Sequence, residues 1–462
     1  MAMTRERSKV IIVGAGPAGI RAAETLASNG IRPIVIDEAQ KAGGQIYRRP
    51  PEGFVRSPET LYGSDSAKAR TLHQLFDSLV ASGGVEHHPQ SSVVALADGA
   101  LHVLTSAGRR IFPYDRLILA TGATDRLAPV PGWQSAGVYS LGAAQIALKA
   151  QGVALGQRIV LAGSGPLLTL VAVQLLKAGA KVEAVLDTAP LWGQIAALPY
   201  LMARPGLVLR GSLLRLRLGR LYRAGVSIEG IDFDGRGPTG IRWRDAGGHL
   251  HLTACDMVGL GWHLRAETQL AGLAHCDFDC DADWAQWLPR TDRMGRAVDG
   301  VYLAGDGLRI LGADGAEVAG RLAAAACLAD MGRPAPDVTA DLRRLDRCEQ
   351  FARGIARAFP WPARMVRALP NETIVCRCEG ITAGQLRQNA DYGGAEANRV
   401  KSLSRIGMGR CQGRFCQIAA AELIAGRAGL AVRDAGRLRQ QAPVRPVPIG
   451  DWIHEAENIP RL

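Results

Sequence analysis

Val10-Ile11-Ile12-Val13-Gly14-Ala15-Gly16-Pro17-Ala18-Gly19 is the stretch that decides the fold. Four consecutive apolar, mostly β-branched residues predict a short strand buried on both faces. The Gly-x-Gly-x-x-Gly turn follows at once: Gly14 permits the tight turn, Gly16 lets a pyrophosphate approach the backbone, and Gly19 lets the next helix pack closely on the strand. That helix is predicted from Pro17 to Ser28, stopped by Asn29-Gly30. Its start, at Pro17 and Ala18, aims free N–H groups and a positive dipole end at the phosphates. A second strand, Ile34-Val35-Ile36, delivers Asp37 with Glu38 beside it, and a carboxylate at Asp37 can accept hydrogen bonds from an adenosine ribose. Strand, turn, helix, strand and acid in this order predict a dinucleotide site, and NAD and FAD use the same device.

Farther along, Gly43-Gly44-Gln45, the run Leu117-Ile118-Leu119-Ala120-Thr121-Gly122-Ala123, and Val301-Tyr302-Leu303-Ala304-Gly305-Asp306-Gly307 resemble the recurring motifs of two-dinucleotide flavoproteins of the glutathione-reductase-like class. The resemblance implies FAD in the first fold, held additionally by Gly44, Gln45, Thr121, Gly122, Gly305 and Asp306, with Asp306 near the ribityl and pyrophosphate groups. Between these segments the device recurs: a strand at Arg158–Ala162, Gly163-Ser164-Gly165, a helix to Lys177, a strand at Lys181–Leu186, then Asp187. Leu168 stands at the third glycine position, which pushes helix and strand apart or demands repacking. No Arg follows Asp187 to receive a 2′-phosphate, so NADP fits least. NAD(H), an adenine nucleotide in a structural role and an empty site all stay open.

The chain has 462 residues, 47% apolar and 21% charged, with 55 glycines. That length predicts about three domains. The net charge is +12, but the arginines are scattered and aromatics are only 5%, which argues against a nucleic-acid partner and for solubility plus anionic ligands or partners. The start lacks an apolar signal region, and the longest apolar run, Pro166–Leu176, is far shorter than the roughly 20 residues of a bilayer span. A cytoplasmic protein with no integral membrane segment is expected, and association with a membrane surface through the electron acceptor stays open.

No cysteine lies between Glu38 and Ala254, so the redox pair of disulfide reductases is missing. Four of the nine cysteines crowd near the end instead, as Cys376-Arg377-Cys378 and Cys411-Gln412-Gly413-Arg414-Phe415-Cys416. Two close thiolate pairs meet the needs of a tetrahedral sulfur site. The Cys-x-Cys pair suits two irons better than a zinc knuckle, though zinc remains an alternative. The pattern resembles the 2Fe-2S domain of bacterioferritin-associated ferredoxin, with a wider second pair. Arg377, Arg410 and Arg414 put positive charge beside the sulfurs, which favours a reduced cluster.

A nucleotide-binding core joined to Val375-Cys-Arg-Cys-Glu-Gly380 and Gly407-Met-Gly-Arg-Cys-Gln-Gly-Arg-Phe-Cys416 resembles the α (A) subunits of opine oxidases and D-hydroxyproline dehydrogenases and the B subunit of hydrogen cyanide synthase. Gly43-Gly44-Gln45-Ile46-Tyr47-Arg48 and the proline-rich Pro443–Pro448 belong to the same resemblance, which spans nearly the whole chain. It implies a chain that relays electrons through FAD and a 2Fe-2S cluster. It further implies a β-type flavoprotein subunit that oxidises the amino or imino acid, with a small third subunit in some complexes and an FMN at the subunit interface. The fold expected is α/β: an FAD domain from residues 1–140 and 256–335, an inserted NAD-type Rossmann domain at 141–255, a helix and linker at 336–373, a 2Fe-2S domain at 374–430 and a proline-rich tail at 431–462. A self-sufficient NADH-dependent reductase and a non-catalytic iron–sulfur sensor are the rival functions. No acid or base stands out as catalytic.

Residues 263–290, with His275, Cys276, Cys280 and several Asp, have no counterpart in that resemblance. A calcium loop at Asp277–Asp283 fails, because Ala282 replaces the required Gly and Leu288 the bidentate Glu. An exposed acidic loop is expected there, and a solvated strand face at His249 and His251. Arg204, Arg210, Arg215, Arg217, Arg220 and Arg223 form a basic stretch whose default is a solvated face, with docking to an acidic partner as the alternative.

Overall fold

The computed structural model describes residues 9–54, 56–448 and 450. Val10–Val13 lies fully buried inside a six-stranded sheet, between Arg116–Leu119 and Ile34–Ile36. Val301–Leu303 and Glu86–His88 extend the parallel array, and Arg296–Val298 closes one edge antiparallel. The helix Pro17–Ser28 runs as its sequence predicts and packs on the long helix Gly312–Asp330. Their approach is close enough that a Cβ on Gly320 would stand 2.1 Å from the Ala18 carbonyl oxygen.

The second fold is a five-stranded parallel sheet ordered Tyr222–Ala224, Lys181–Asp187, Arg158–Ser164, Met257–Trp262 and Val138–Ser140. The inserted unit therefore reaches past the expected 141–255 at both ends. Its last two strands are supplied by segments expected in the first domain, because the β-branched and apolar Met257–Trp262 strand finds its partners beside Arg158–Ser164. Leu168 is buried in the core between helix and sheet rather than facing a ligand.

Helix Thr339–Ala358 forms within the segment expected as helix and linker, burying Leu345, Cys348, Ala352 and Ala356. The segment expected as a linker, 360–373, is not open chain. It carries the helix Ala363–Arg367 and buries Trp361, Val366 and Leu369 in a core shared by the second nucleotide fold and the cysteine segment. Arg126 sits beneath it, donating to the carbonyls of Trp262 and Trp284 at 2.8 and 2.7 Å and lying over the Trp361 ring. The cysteine segment itself is a small unit of three main helices, Ala383–Gly393, Ala397–Ser404 and Gln417–Arg427. A further turn, Val432–Ala435, packs on the last of these, so that part of the expected tail belongs to the unit. Beyond it, the Val444 N–H pairs with the Val94 carbonyl on the first nucleotide fold, and the rest of the predicted arm, 449 and 451–462, lies outside the described residues.

Candidate functional site

A cavity of about 1620 Å³ opens at the carboxyl ends of the first sheet, where ligands of open α/β folds bind. Gly14, Gly16, Pro17, Ala18, Asp37, Glu38, Gly44, Gln45, Thr121, Gly122 and Asp306 all line it. Gly19 and Gly305 do not; each lets backbone pack behind the wall, a Cβ on Gly19 meeting the Gly14 oxygen at 1.8 Å and one on Gly305 the Ala18 side chain at 2.8 Å. Gly44, at φ +64°, faces Gly16 so closely that a Cβ there would lie 2.9 Å from the Gly16 Cα. The result is a bare-backbone cradle of the kind a pyrophosphate requires.

Asp306 is half-buried, and its Oδ1 accepts the N–H groups of Leu311 and Gly312 at 2.8 and 3.0 Å. Burial pushes its carboxyl up to about 6. A half-buried carboxylate on the wall with acceptor capacity to spare suits a ribityl hydroxyl. Asp37 uses its oxygens on the backbone, accepting from Ala15 N at 2.5 Å and Ala39 N at 2.6 Å, so it braces the glycine turn before it can serve a ribose. Burial raises its pKa against those bonds. Glu38 stays at the rim and takes an ion pair from Arg445 at 2.6 Å.

The second fold behaves differently. Gly163, Gly165 and Asp187 lie outside the cavity wall, and a Cβ on Gly163 would stand 1.8 Å from the Gly261 carbonyl oxygen. Asp187 is buried; Tyr222 donates its hydroxyl to Oδ2 at 2.5 Å and Ala189 its N–H to Oδ1 at 2.9 Å. At 1% exposure, with Tyr222 against it, this carboxylate offers little surface to a ribose.

The four cysteines converge in two pairs. Cys376 ends the strand Ile374–Cys376 and its thiol bonds that of Cys416, at the head of the helix Gln417–Arg427; Cys378 bonds Cys411. Backbone N–H groups of Cys378, Glu379 and Gly407 point at Cys376, and with the Cys416 bond they hold its thiol down at about 6. Gly409 is required, since a Cβ there would lie 2.4 Å from that of Cys378. Among the described residues no three metal-ligating side chains gather about a single-ion position. Two close thiol pairs, Cys376 with Cys416 and Cys378 with Cys411, are the donor set a two-iron cluster uses.

Arg265, which sequence reasoning missed, is fully buried beside Cys411 and Cys416 and feels both sulfurs. It comes from the strand Leu264–Ala266 of the nucleotide fold, so no local pattern near the cysteines announces it. Of the arginines expected to favour reduction, Arg414 is neutralised by Glu267 at 2.9 Å, and Arg377 lies over the Trp133 ring while feeling Cys378. Arg410 lines the cavity together with Cys411, Arg414 and Phe415.

The remaining candidates fall apart as sites. His275 is exposed while the adjacent Cys276 is buried in the core, and Asp279 pairs with Arg290. His249 and His251 share Asp245, with His251 stacked on Trp243. The basic stretch is not one solvated face: Arg204 and Arg210 turn inward to Asp314 and Asp65, and Arg215 to Gln194.

Residues 8–326 match the pyridine nucleotide-disulphide oxidoreductase family and residues 374–426 the BFD-like 2Fe-2S binding domain. The chain is 35% identical to the A subunit of an opine oxidase from Rhizobium meliloti, over 97% of this chain and 87% of that one. It is 31% identical to the HcnB subunit of hydrogen cyanide synthase from Pseudomonas aeruginosa, covering 95% and 97% of the two chains. The solved structure of L-proline dehydrogenase from P. horikoshii shares the fold at TM-score 0.72 and 18% identity, over 96% of this chain and 79% of that chain. No described helix is long and apolar enough to cross a membrane. With an FAD/NAD-type cradle and Cys411 of the paired thiols on one cavity, the chain belongs to the family of opine oxidase A subunits and HcnB, flavin oxidoreductases with a C-terminal BFD-like 2Fe-2S domain.

Proposed function

We propose that this chain is the electron-relay subunit of a multi-subunit, cytoplasmic dehydrogenase acting on an amino or imino acid, the donor being oxidised on a separate β-type flavoprotein subunit. One observation carries the reading: Arg410, Cys411, Arg414 and Phe415 form part of the same cavity wall as the nucleotide cradle. A ligand in the cradle and a cluster on the thiols would be immediate neighbours. Relatives that bear the names of enzyme subunits supply the partner half of the proposal. An interfacial FMN and a small third subunit, both implied by the family, belong to the same reading.

When bound, FAD would take up electrons in pairs and a 2Fe-2S cluster would pass them singly, chemistry that is the cofactors' own. The chain supplies position and field. Gly14, Gly16 and Gly44 leave backbone bare for the pyrophosphate, and Asp306 presents an acceptor on the cavity wall. Arg265 places a buried positive charge beside the sulfurs, shared with the Glu267 carboxylate. Co-purification from the native host tests the proposal. A second flavoprotein should co-elute, and an amino or imino acid should bleach the flavin only in its presence. A lone chain bleached by NADH would overturn it.

A further inference from the structure

The cavity is larger than one ligand needs. At about 1620 Å³ it exceeds the roughly 300–1,000 Å³ of ordinary small-molecule sites. Its far lobe is walled not by the glycine cradle but by the inserted unit and its helices, through Leu167, Leu170, Leu198, Leu207 and Val208, and by Phe351 from the helix Thr339–Ala358. The arginines that enter this lobe are tied: Arg204 to Asp314, Arg210 to Asp65 and Arg215 to Gln194. Lys149 is the exception. Among the described residues no hydrogen bond reaches its ammonium, and Asp65, the carboxylate it feels, is held by Arg210 at 2.9 Å. Burial brings the Lys149 pKa down to about 8. The lobe is therefore walled largely by apolar side chains, with the Lys149 ammonium, Arg215 Nε and Gln194 Nε2 as donors that no hydrogen bond claims.

Its roof is unusual in the same direction. The helix Pro205–Leu218 turns Leu207, Val208 and Leu214 to the cavity beside Arg210 and Arg215, while Leu209 and Leu216 stand 62% and 75% exposed. Trp192 continues the outer face at 74%. Leu191 and Ile195 both line the cavity and are exposed, which marks an opening beside the roof. Large apolar side chains exposed together on one surface mark an interaction site. No Asp or Glu occurs between Asp187 and Glu229, and Arg217, Arg220 and Arg223 face solvent. An apolar face with a cationic rim and no carboxylate matches the surface of an anionic bilayer, the phase in which isoprenoid quinones dissolve. A nicotinamide dinucleotide is a poor occupant, because Tyr222 holds the Asp187 carboxylate that would receive its ribose.

We propose that this far lobe is a quinone site, with Lys149 donating a hydrogen bond to a headgroup carbonyl and the isoprenoid tail leaving between Leu191 and Ile195 toward lipid. As the electron acceptor, the quinone takes up two electrons, those yielded by the amino- or imino-acid donor, and two protons from solvent; its two carbonyl oxygens become the hydroxyls of the quinol. The proposal thus rests on the relay reading for its electrons but not for its binding site.

The test uses the complex purified from the native host and a short-chain azidoquinone, with labelled residues mapped by mass spectrometry. Labelling is expected within residues 145–218, competed by ubiquinone-1, and at least tenfold weaker in Lys149→Met and in the lobe-filling Leu207→Trp. An unchanged visible spectrum shows that both variants hold their cofactors. Labelling confined to a partner subunit, or unaffected by both substitutions, would overturn the site, as would competition by NADH and not by quinone. Correct labelling in a complex whose flavin no amino or imino acid bleaches would overturn the relay reading and leave the site supported.

Discussion

Arg414 of the cysteine segment and Glu267 of the first nucleotide fold form an ion pair of 2.9 Å, with side chains only 12% and 8% exposed. Arg265 donates to the Arg414 carbonyl at 2.9 Å, and Arg414 also reaches the Val444 carbonyl at 3.0 Å. Cradle, cysteines and C-terminal arm are thereby locked at one point. Removing one partner of such a buried pair leaves an uncompensated charge, at a cost of about 3–5 kcal/mol. Glu267→Gln and Arg414→Met should each lower thermal stability by that order, and the double variant should cost less than the sum of the two. Thermal unfolding of the three variants checks this; additive effects would show the residues uncoupled.

Arg265 leaves Nε and Nη2 buried without a hydrogen-bond partner, next to Cys411 and Cys416. Its charge favours the more negative, reduced cluster. Arg265→Met should lower the cluster's reduction potential by about 60 mV, a tenfold change for one electron. Potentiometric titration followed by electron paramagnetic resonance reads the shift, and an unchanged or higher potential would contradict the assignment.

Asp306 gives a pH dependence with a definite sign. Its pKa rises from 3.8 to about 6 on burial, so the folded flavin-free protein holds the proton more tightly than the unfolded chain. This group's contribution is fully present below about pH 4 and is lost as pH rises through 6. At pH 7.5, Asp306→Asn should stabilise the flavin-free protein by roughly 2–3 kcal/mol, at 1.36 kcal/mol per pKa unit, a gain that vanishes below pH 4. The same variant should retain less flavin. Denaturant unfolding across pH, with flavin content measured in parallel, tests both halves.

Arg445 holds Glu38 at the rim of the cradle from the far end of the chain. Half-exposed pairs of this kind contribute little to stability, so the effect is expected on the ligand. Arg445→Ala should weaken flavin retention about threefold to tenfold with the melting temperature nearly unchanged. Equal flavin affinity in the two proteins would remove the arm from the site.

What is legible in the sequence is local chemistry. The first glycine turn, its strand and its helix are written in adjacent residues, and the thiols sit in motifs with glycines that the backbone requires, Gly407 for its φ of +77° and Gly409 for its approach to Cys378. Long-range pairing is not legible. Val138–Ser140 and Met257–Trp262 join the second sheet across more than a hundred residues, so the domain boundary misses them. Arg265 and Glu267 act on the cysteine segment from a strand that carries no metal-binding pattern, and the charge of Arg414 is cancelled by a residue the cysteine motif does not contain. Asp187 looks like a ribose ligand because its position in the turn is right; only the packing of Tyr222 shows the carboxylate engaged.

The most direct measurement follows the electrons into the cluster. The purified complex is mixed anaerobically with a panel of amino and imino acids and, separately, with NADH, and the electron paramagnetic resonance signal of the reduced 2Fe-2S cluster is recorded with and without the partner flavoprotein. The account predicts a signal with an amino or imino acid only when the partner is present, and none with NADH. A signal raised by NADH in the lone chain would contradict it.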